Sequence, residues 1–100
     1  MKQYELLVIF KPNADSDEIE KLIAKVVSDI EALEGTADNV DKIGRKKLAY
    51  EIQGYRDGYF CSIILSLQES SVAAFKRQLR LNESILRTMF YSKTTVKAGV

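Results

Sequence analysis

The stretch YFCSIILSL, residues 59–67, carries the clearest β-strand pattern in the chain. Its odd-numbered positions hold large or apolar groups, whereas Ser62 and Ser66 lie on the other parity. Side chains at every second position of a strand point to the same face of the sheet. The stretch therefore predicts a strand with one face in a core, and the other elements can be placed around it.

A hairpin is predicted immediately upstream of this strand. Residues 54–58, GYRDG, have the composition of a turn. Residues 40–53 before them look extended, and Gly44 is suited to a bend or bulge. Strands over 40–53 and 59–67 joined by this turn would form an antiparallel hairpin.

The period of two also predicts how the strand over 40–53 is oriented. Leu48, Tyr50 and Ile52 share one parity. We expect at least Leu48 and Ile52 to face the helices, because both are apolar. A slip of one residue would turn all three to the other face of the sheet.

Two helices are predicted, one on each side of the hairpin. The first is expected to run from a cap at Asp15 to a stop at Gly35. The second is expected to run from a serine cap at 70–71 to a left-handed stop at Asn82. Apolar residues recur at helical spacing in both segments, so each helix has one face to bury.

A first strand over residues 4–10 and a last strand over residues 85–92 complete the pattern, and the first is apolar on both faces, which suggests an interior strand or one whose outer face is covered. The order strand, helix, strand, strand, helix, strand predicts an α+β, ferredoxin-like βαββαβ fold. Its four-stranded antiparallel sheet would carry both helices on one face. We expect one domain over residues 1–93 and a flexible C-terminal tail over residues 94–100.

The composition excludes most catalytic chemistry. The 100 residues include no His, which is the commonest metal ligand and the usual base at neutral pH. The single cysteine, Cys61, lies in an apolar strand and is expected to be a buried, inert thiol. The acidic residues at 15–18 suit a helix N-terminus better than a carboxylate site. We therefore predict no enzyme, metal or cofactor.

The same composition bears on location. A single cysteine permits no internal disulfide, which fits a reducing compartment. No apolar run approaches the roughly 20 residues needed to span a bilayer, and the start of the chain lacks the layout of a signal peptide. We predict a cytoplasmic protein with no membrane contact.

Charge is unevenly distributed along the chain. Residues 1–44 carry a net charge of −5 and residues 45–100 a net charge of +6, although the total is only +1. The run at 45–47 cannot all be buried on a strand, so part of it must reach water or a polyanion. Basic side chains of this half are the predicted contacts to RNA or to a protein partner: Arg45, Lys46, Lys47, Arg56, Arg80, Arg87 and Lys93.

Two alternatives for these charges stay open at the level of sequence. The basic run also fits an ordinary edge strand protected by lysines. Arg87 interrupts an otherwise apolar strand, so it needs a phosphate, water or a carboxylate such as Glu51 or Glu83. The signature of the RNA recognition motif is absent in working form, because residues 57–61, DGYFC, match it only at Gly58 and Tyr59.

The segment GRKKLAYEI, residues 44–52, closely resembles the signature of the sixth protein of the bacterial small ribosomal subunit. Further matches to that family follow in order along the chain, at Tyr4-Glu5, Gly58-Tyr59-Phe60, Leu79-Arg80, Leu86-Arg87 and Met89. The resemblance covers residues 1 to about 93. It departs from the family at Glu51, where proline is frequent, and in lacking an acidic C-terminal tail.

The resemblance implies a structural constituent of the small ribosomal subunit. Members of that family pair with the eighteenth small-subunit protein and bind the central domain of the small-subunit ribosomal RNA. Two other classes built on this fold stay open at the level of sequence. A regulatory domain that binds a small ligand would need a pocket, and an acylphosphatase-like hydrolase would need a phosphate-cradling loop with Arg where this chain has residues 11–14, KPNA.

Overall fold

A computed structural model describes residues 2–92 of the chain. Lys93 and the tail predicted over residues 94–100 lie outside the described residues. The elements in chain order are β1 (Lys2–Phe10), α1 (Ser16–Ala32), β2 (Thr36–Ile52), β3 (Tyr55–Leu67), a short 3₁₀ turn (Glu69–Ser71), α2 (Val72–Leu81) and β4 (Ile85–Ser92).

The four strands form one sheet in the order β2-β3-β1-β4, and every neighbouring pair is antiparallel. This is the ferredoxin-like arrangement predicted from the order of elements. The first strand therefore lies inside the sheet, whereas β2 and β4 form its two edges.

The core lies between one face of the sheet and the two helices. Alternate residues of β1 and β3 are fully buried, as Leu6, Val8 and Leu65 illustrate, and they pack against Ile30 of α1 and Phe75 of α2. The alternation predicted for residues 59–67 is confirmed, because the odd positions from 61 to 67 are all buried. The opposite face of the sheet, here called the helix-free face, is left without helices.

The first helix begins as predicted and ends with a small difference. The Asp15 side chain accepts a hydrogen bond from the Glu18 backbone N–H at 2.9 Å. At the other end, Gly35 N–H donates to Ile30 O at 3.0 Å, while Glu34 takes the left-handed conformation with φ of 64°. A Cβ on Gly35 would lie 2.5 Å from Ser66 O, so glycine is needed here for close packing against β3.

The predicted stop of the second helix is wrong in its conformation. Asn82 follows α2 but is extended, with φ of −83° and ψ of 109°. Its side chain instead accepts a hydrogen bond from the Ser84 backbone N–H at 3.0 Å. An asparagine can turn the chain by bonding its own backbone two residues on, and no left-handed residue is then required.

The hairpin turn is shorter than predicted and lies earlier in the sequence. Gln53 and Gly54 form a two-residue turn with φ of 50° and 85°, and β3 already begins at Tyr55. Two consecutive positive φ angles are typical of the type I′ turn, which matches the twist of paired strands. The residues from 55 to 58 look like a turn in composition, but they are strand.

The predicted orientation of Leu48 and Ile52 is also wrong. Lys42 is paired with Cys61 and Gly44 with Phe60, so β2 carries one extra residue, Ile43, at a bulge where Gly44 has φ of 107°. Such a bulge bends a strand and re-aims its side chains. Leu48, Tyr50 and Ile52 consequently line the helix-free face, beside Ile9 and Phe60.

Candidate interface on the helix-free face

A shallow apolar depression lies on the helix-free face, next to the tip of the β2–β3 hairpin. Its volume is about 270 Å³. The residues that line it come from all four strands: Ile9, Leu48, Ala49, Tyr50, Ile52, Phe60, Arg87 and Met89. The depression forms because the end of β2, where residues 48–51 have no registered partners in β3, bends over this face.

Tyr50 and Arg87 connect the two edges of the sheet across this depression. Arg87 donates a hydrogen bond to the Tyr50 hydroxyl, and its guanidinium carbon lies 5.8 Å from the centre of the Tyr50 ring. Tyr50 is nevertheless 60% exposed. The contact holds an aromatic ring at the surface in a fixed place, where a partner could pack against it.

Neither carboxylate considered for Arg87 is its partner within residues 2–92. Glu51 instead pairs with Arg56, whose Nε lies 3.5 Å from Glu51 Oε2. That pair is largely exposed, so it contributes little to stability. Arg87 is therefore satisfied by a tyrosine, and its charge is not neutralised there.

The basic run is divided between two sides of the sheet. Arg45 lies opposite Tyr59, on the side of the helices, and its Nη2 donates to Pro12 O at 2.6 Å. Lys46 lies opposite Gly58, on the helix-free face, and Lys47 lies on the same side of the sheet as Arg45. The alternation predicted from period-two geometry is thus present, and the three charges do not form a single patch.

Arg80 and Arg87 are brought together in a second concave region, the α2–β4 groove. Its volume is about 470 Å³, and it runs between α2 and the free edge of β4. Lys76, one helical turn before Arg80, lines the same groove. Sequence reasoning missed Lys76, although its spacing of four residues from Arg80 places both on one side of a helix.

The far end of the helix-free face is acidic. Asp38 accepts hydrogen bonds from Ser66 Oγ at 2.6 Å, Gln3 Nε2 at 3.2 Å and Thr36 Oγ1 at 2.9 Å. These bonds, that of Ser66 first, hold the pKa of the Asp38 carboxyl below its usual value. This cluster was not predicted, because its members are distant in sequence.

Cys61 is buried in the core, as expected. Burial raises the pKa of its thiol to about 11, so the reactive thiolate is scarce at neutral pH. Within residues 2–92, no three His, Cys, Asp or Glu side chains are grouped so that they could hold a metal ion. None of the described helices is long and apolar enough to cross a membrane.

The family model of ribosomal protein S6 matches residues 3–92, which is nearly the whole chain. The chain belongs to the ribosomal protein S6 family. The small ribosomal subunit protein bS6 of a Nocardioides species is 39% identical over 88 residues, covering 88% of this chain and 92% of that protein. The bS6 of Acholeplasma laidlawii is 32% identical over 89 residues, covering 89% and 94%.

A solved structure agrees with this assignment. The 30S ribosomal protein S6 of Thermotoga maritima superimposes with a TM-score of 0.87 at 27% identity, over 92% of this chain and 87% of that one. The C-terminal domain of the MgtC protein from Mycobacterium tuberculosis shares the fold, with a TM-score of 0.61 at 14% identity, over 93% of this chain and 88% of that one.

Membership of the ribosomal protein S6 family confirms three predictions. The chain is a small-subunit ribosomal protein, its role is structural and not enzymatic, and its location is the cytoplasmic small ribosomal subunit. The hydrolase alternative is therefore wrong. The family also favours the ribosomal interpretation over the small-ligand regulatory domain.

Proposed function

We propose that this chain binds the central domain of small-subunit ribosomal RNA, together with the eighteenth small-subunit ribosomal protein. The observation that supports this most directly is the apolar depression on the helix-free face, which has Arg87 in its lining and Lys46 on the same face of the sheet. An apolar surface beside cations suits a chain that meets a protein and a polyanion at the same time.

The depression is assigned to the protein partner. Leu48, Ile52 and Met89 line it, and the Tyr50 ring stands exposed at its side. The buried centres of protein interfaces are more apolar than the rest of the surface, and tyrosine and methionine are enriched there. An apolar area that remains in water after folding is explained if a second protein covers it in the ribosome.

The RNA contacts are assigned to the basic side chains of the second half. In the described residues these are Arg45, Lys46, Lys47, Arg56, Arg80 and Arg87, and Lys93 completes the predicted set. Those within residues 2–92 lie at the hairpin, at the end of α2 and on β4. Their number is small, so the chain alone should release few counterions and bind RNA weakly.

A titration tests this proposal. Labelled central-domain RNA is mixed with the chain alone, with the eighteenth protein alone and with an equimolar pair of the two, at several salt concentrations. We expect weak, unspecific binding by the chain alone and tight binding by the pair. Tight specific binding by the isolated chain would contradict the shared interface, and a pair that binds no better than the eighteenth protein alone would contradict the function.

A further inference from the structure

We infer that the α2–β4 groove, and not the basic run at 45–47, is the main phosphate-binding site of this chain. The inference rests on the proposed RNA-binding function and assigns it to a particular surface. The ligand class is the phosphate backbone of RNA, held by Lys76, Arg80 and Arg87.

The groove has a distinctive charge. Lys76, Arg80 and Arg87 line it, and no carboxylate does. Within residues 2–92, none of these three cations takes part in an ion pair. The remaining polar lining is uncharged and comes from Gln53 and Thr88, which can donate hydrogen bonds to phosphate oxygens.

Other concave regions with two cations are electrically balanced. Lys47 and Arg56 line a region together with Glu51 and Asp57. On the other side of the molecule, Lys11 and Lys21 share a region with Glu18 and Glu83. Neighbouring carboxylates repel a phosphate and occupy the cations, so these regions attract a polyanion much less than the α2–β4 groove does.

The basic run is also partly occupied by the protein itself. Arg45 already donates to Pro12 O at 2.6 Å. Lys47 lies directly opposite Asp57, which is a favourable cross-strand pair. The run is split between two sides of the sheet, so its three cations do not meet on one surface, whereas the groove brings three together.

Two contacts hold the groove cations in place before RNA arrives. Lys76 Nζ lies 5.3 Å from the centre of the Phe90 ring, and Phe90 packs against Tyr4 and Phe75. Arg87 is held by the Tyr50 hydroxyl. A cation that is already ordered loses less side-chain entropy on binding than a free one.

Three double variants with equal charge change test the inference. Lys76→Gln with Arg80→Gln removes two groove cations, and Lys46→Gln with Lys47→Gln removes two from the run. Lys11→Gln with Lys21→Gln is the matched control from a balanced region. Arg87 is left unchanged, because it also holds Tyr50. Each variant is assembled with the eighteenth protein and titrated with central-domain RNA over a salt series, after its thermal unfolding has been measured.

The expected result follows from counterion release. Two lost phosphate contacts lower the slope of log K against log salt by about 1.4–1.8, at roughly 0.7–0.9 ions per phosphate. At about 0.15 M salt this corresponds to binding roughly 10–30-fold weaker. We expect this loss for the groove variant, a smaller loss for the run variant and little change for the control.

Several outcomes overturn the inference without touching the proposed function. One is a run variant that loses more affinity and slope than the groove variant. Another is a groove variant no weaker than the control, which moves the phosphate site elsewhere. If the groove variant binds the eighteenth protein more weakly than the natural chain in the absence of RNA, the groove is a protein-binding surface. If the unchanged pair shows no RNA binding beyond that of the eighteenth protein alone, the proposed function itself fails.

Discussion

Leu65 and Leu48 provide a matched pair of substitutions that separates core from interface. Leu65 is fully buried between the sheet and the helices. Replacing it with alanine should lower the free energy of unfolding by about 2.7–5.0 kcal/mol, the range for a buried leucine. Leu48 is half-buried in an open depression. Losing three methylene equivalents at about 0.8 kcal/mol each, roughly half of them shielded, costs about 1 kcal/mol.

Urea unfolding, followed by circular dichroism, measures this difference. With a slope of about 1.5 kcal/mol per molar urea, Leu65→Ala should lower the midpoint by roughly 2–3 M and Leu48→Ala by less than about 1 M. Ile63→Val is a milder core control, with an expected cost of about 0.5–1.5 kcal/mol. Binding of the eighteenth protein should show the opposite order, because Leu48 lies on the proposed interface and Leu65 does not.

One result would refute the reasoning about the bulge. If Leu48→Ala costs as much stability as Leu65→Ala, then Leu48 faces the helices and β2 has no bulge at Ile43. If Leu48→Ala leaves both stability and partner binding unchanged, the apolar depression is not the partner surface.

Two further predictions concern the core thiol and the hairpin turn. Burial raises the pKa of Cys61 to about 11, whereas the pKa of this thiol in the unfolded chain is near 9. The neutral thiol therefore stabilises the fold below about pH 9, and this stability is lost between about pH 9 and 11. Urea midpoints over that range should fall more steeply for the natural chain than for Cys61→Ala. Gly54 has φ of 85°, so Gly54→Ala should lower the free energy of unfolding by about 1–2 kcal/mol, while Gly54→Asn should lower it less because asparagine tolerates this conformation. Calorimetric melting temperatures of the three chains give the order of stability. Equal melting temperatures for the alanine and glycine chains would contradict this prediction.

Local patterns predict the fold well where each residue has one dominant preference. The alternation over residues 59–67 and the cap at Asp15 both reappear in the structure, because period-two burial and a carboxylate at a helix start depend on neighbours in sequence. The order of elements then leaves few ways to build a sheet. That is why the topology could be predicted before any contact was known.

The same reasoning fails where contacts between residues distant in sequence determine the structure. The direction of Leu48 depends on one extra residue of β2, Ile43, and although Gly44 marks a possible bulge, the sequence alone does not show that the register shifts there. The alternation at 45–47 is confirmed, but it does not show that Arg45 binds Pro12 O. Of the residues now assigned to the groove, Arg80 and Arg87 were predicted from charge. Lys76 could have been grouped with Arg80 by its spacing of four residues, but only the packing of α2 beside β4 shows that it lines the groove.

The central position of β1 has a consequence for how the chain is made. Its residues are synthesised first, yet they are paired with β4 through contacts such as Leu7 with Met89, about 80 positions apart. Closing so large a loop is entropically costly and makes folding slow relative to a helical bundle of the same size. During translation the backbone groups on one side of β1 stay unpaired until residues 85–92 have been synthesised. A nascent chain stalled before Ile85 would therefore expose an apolar strand edge, which is the kind of surface that chaperones bind and that aggregates form on.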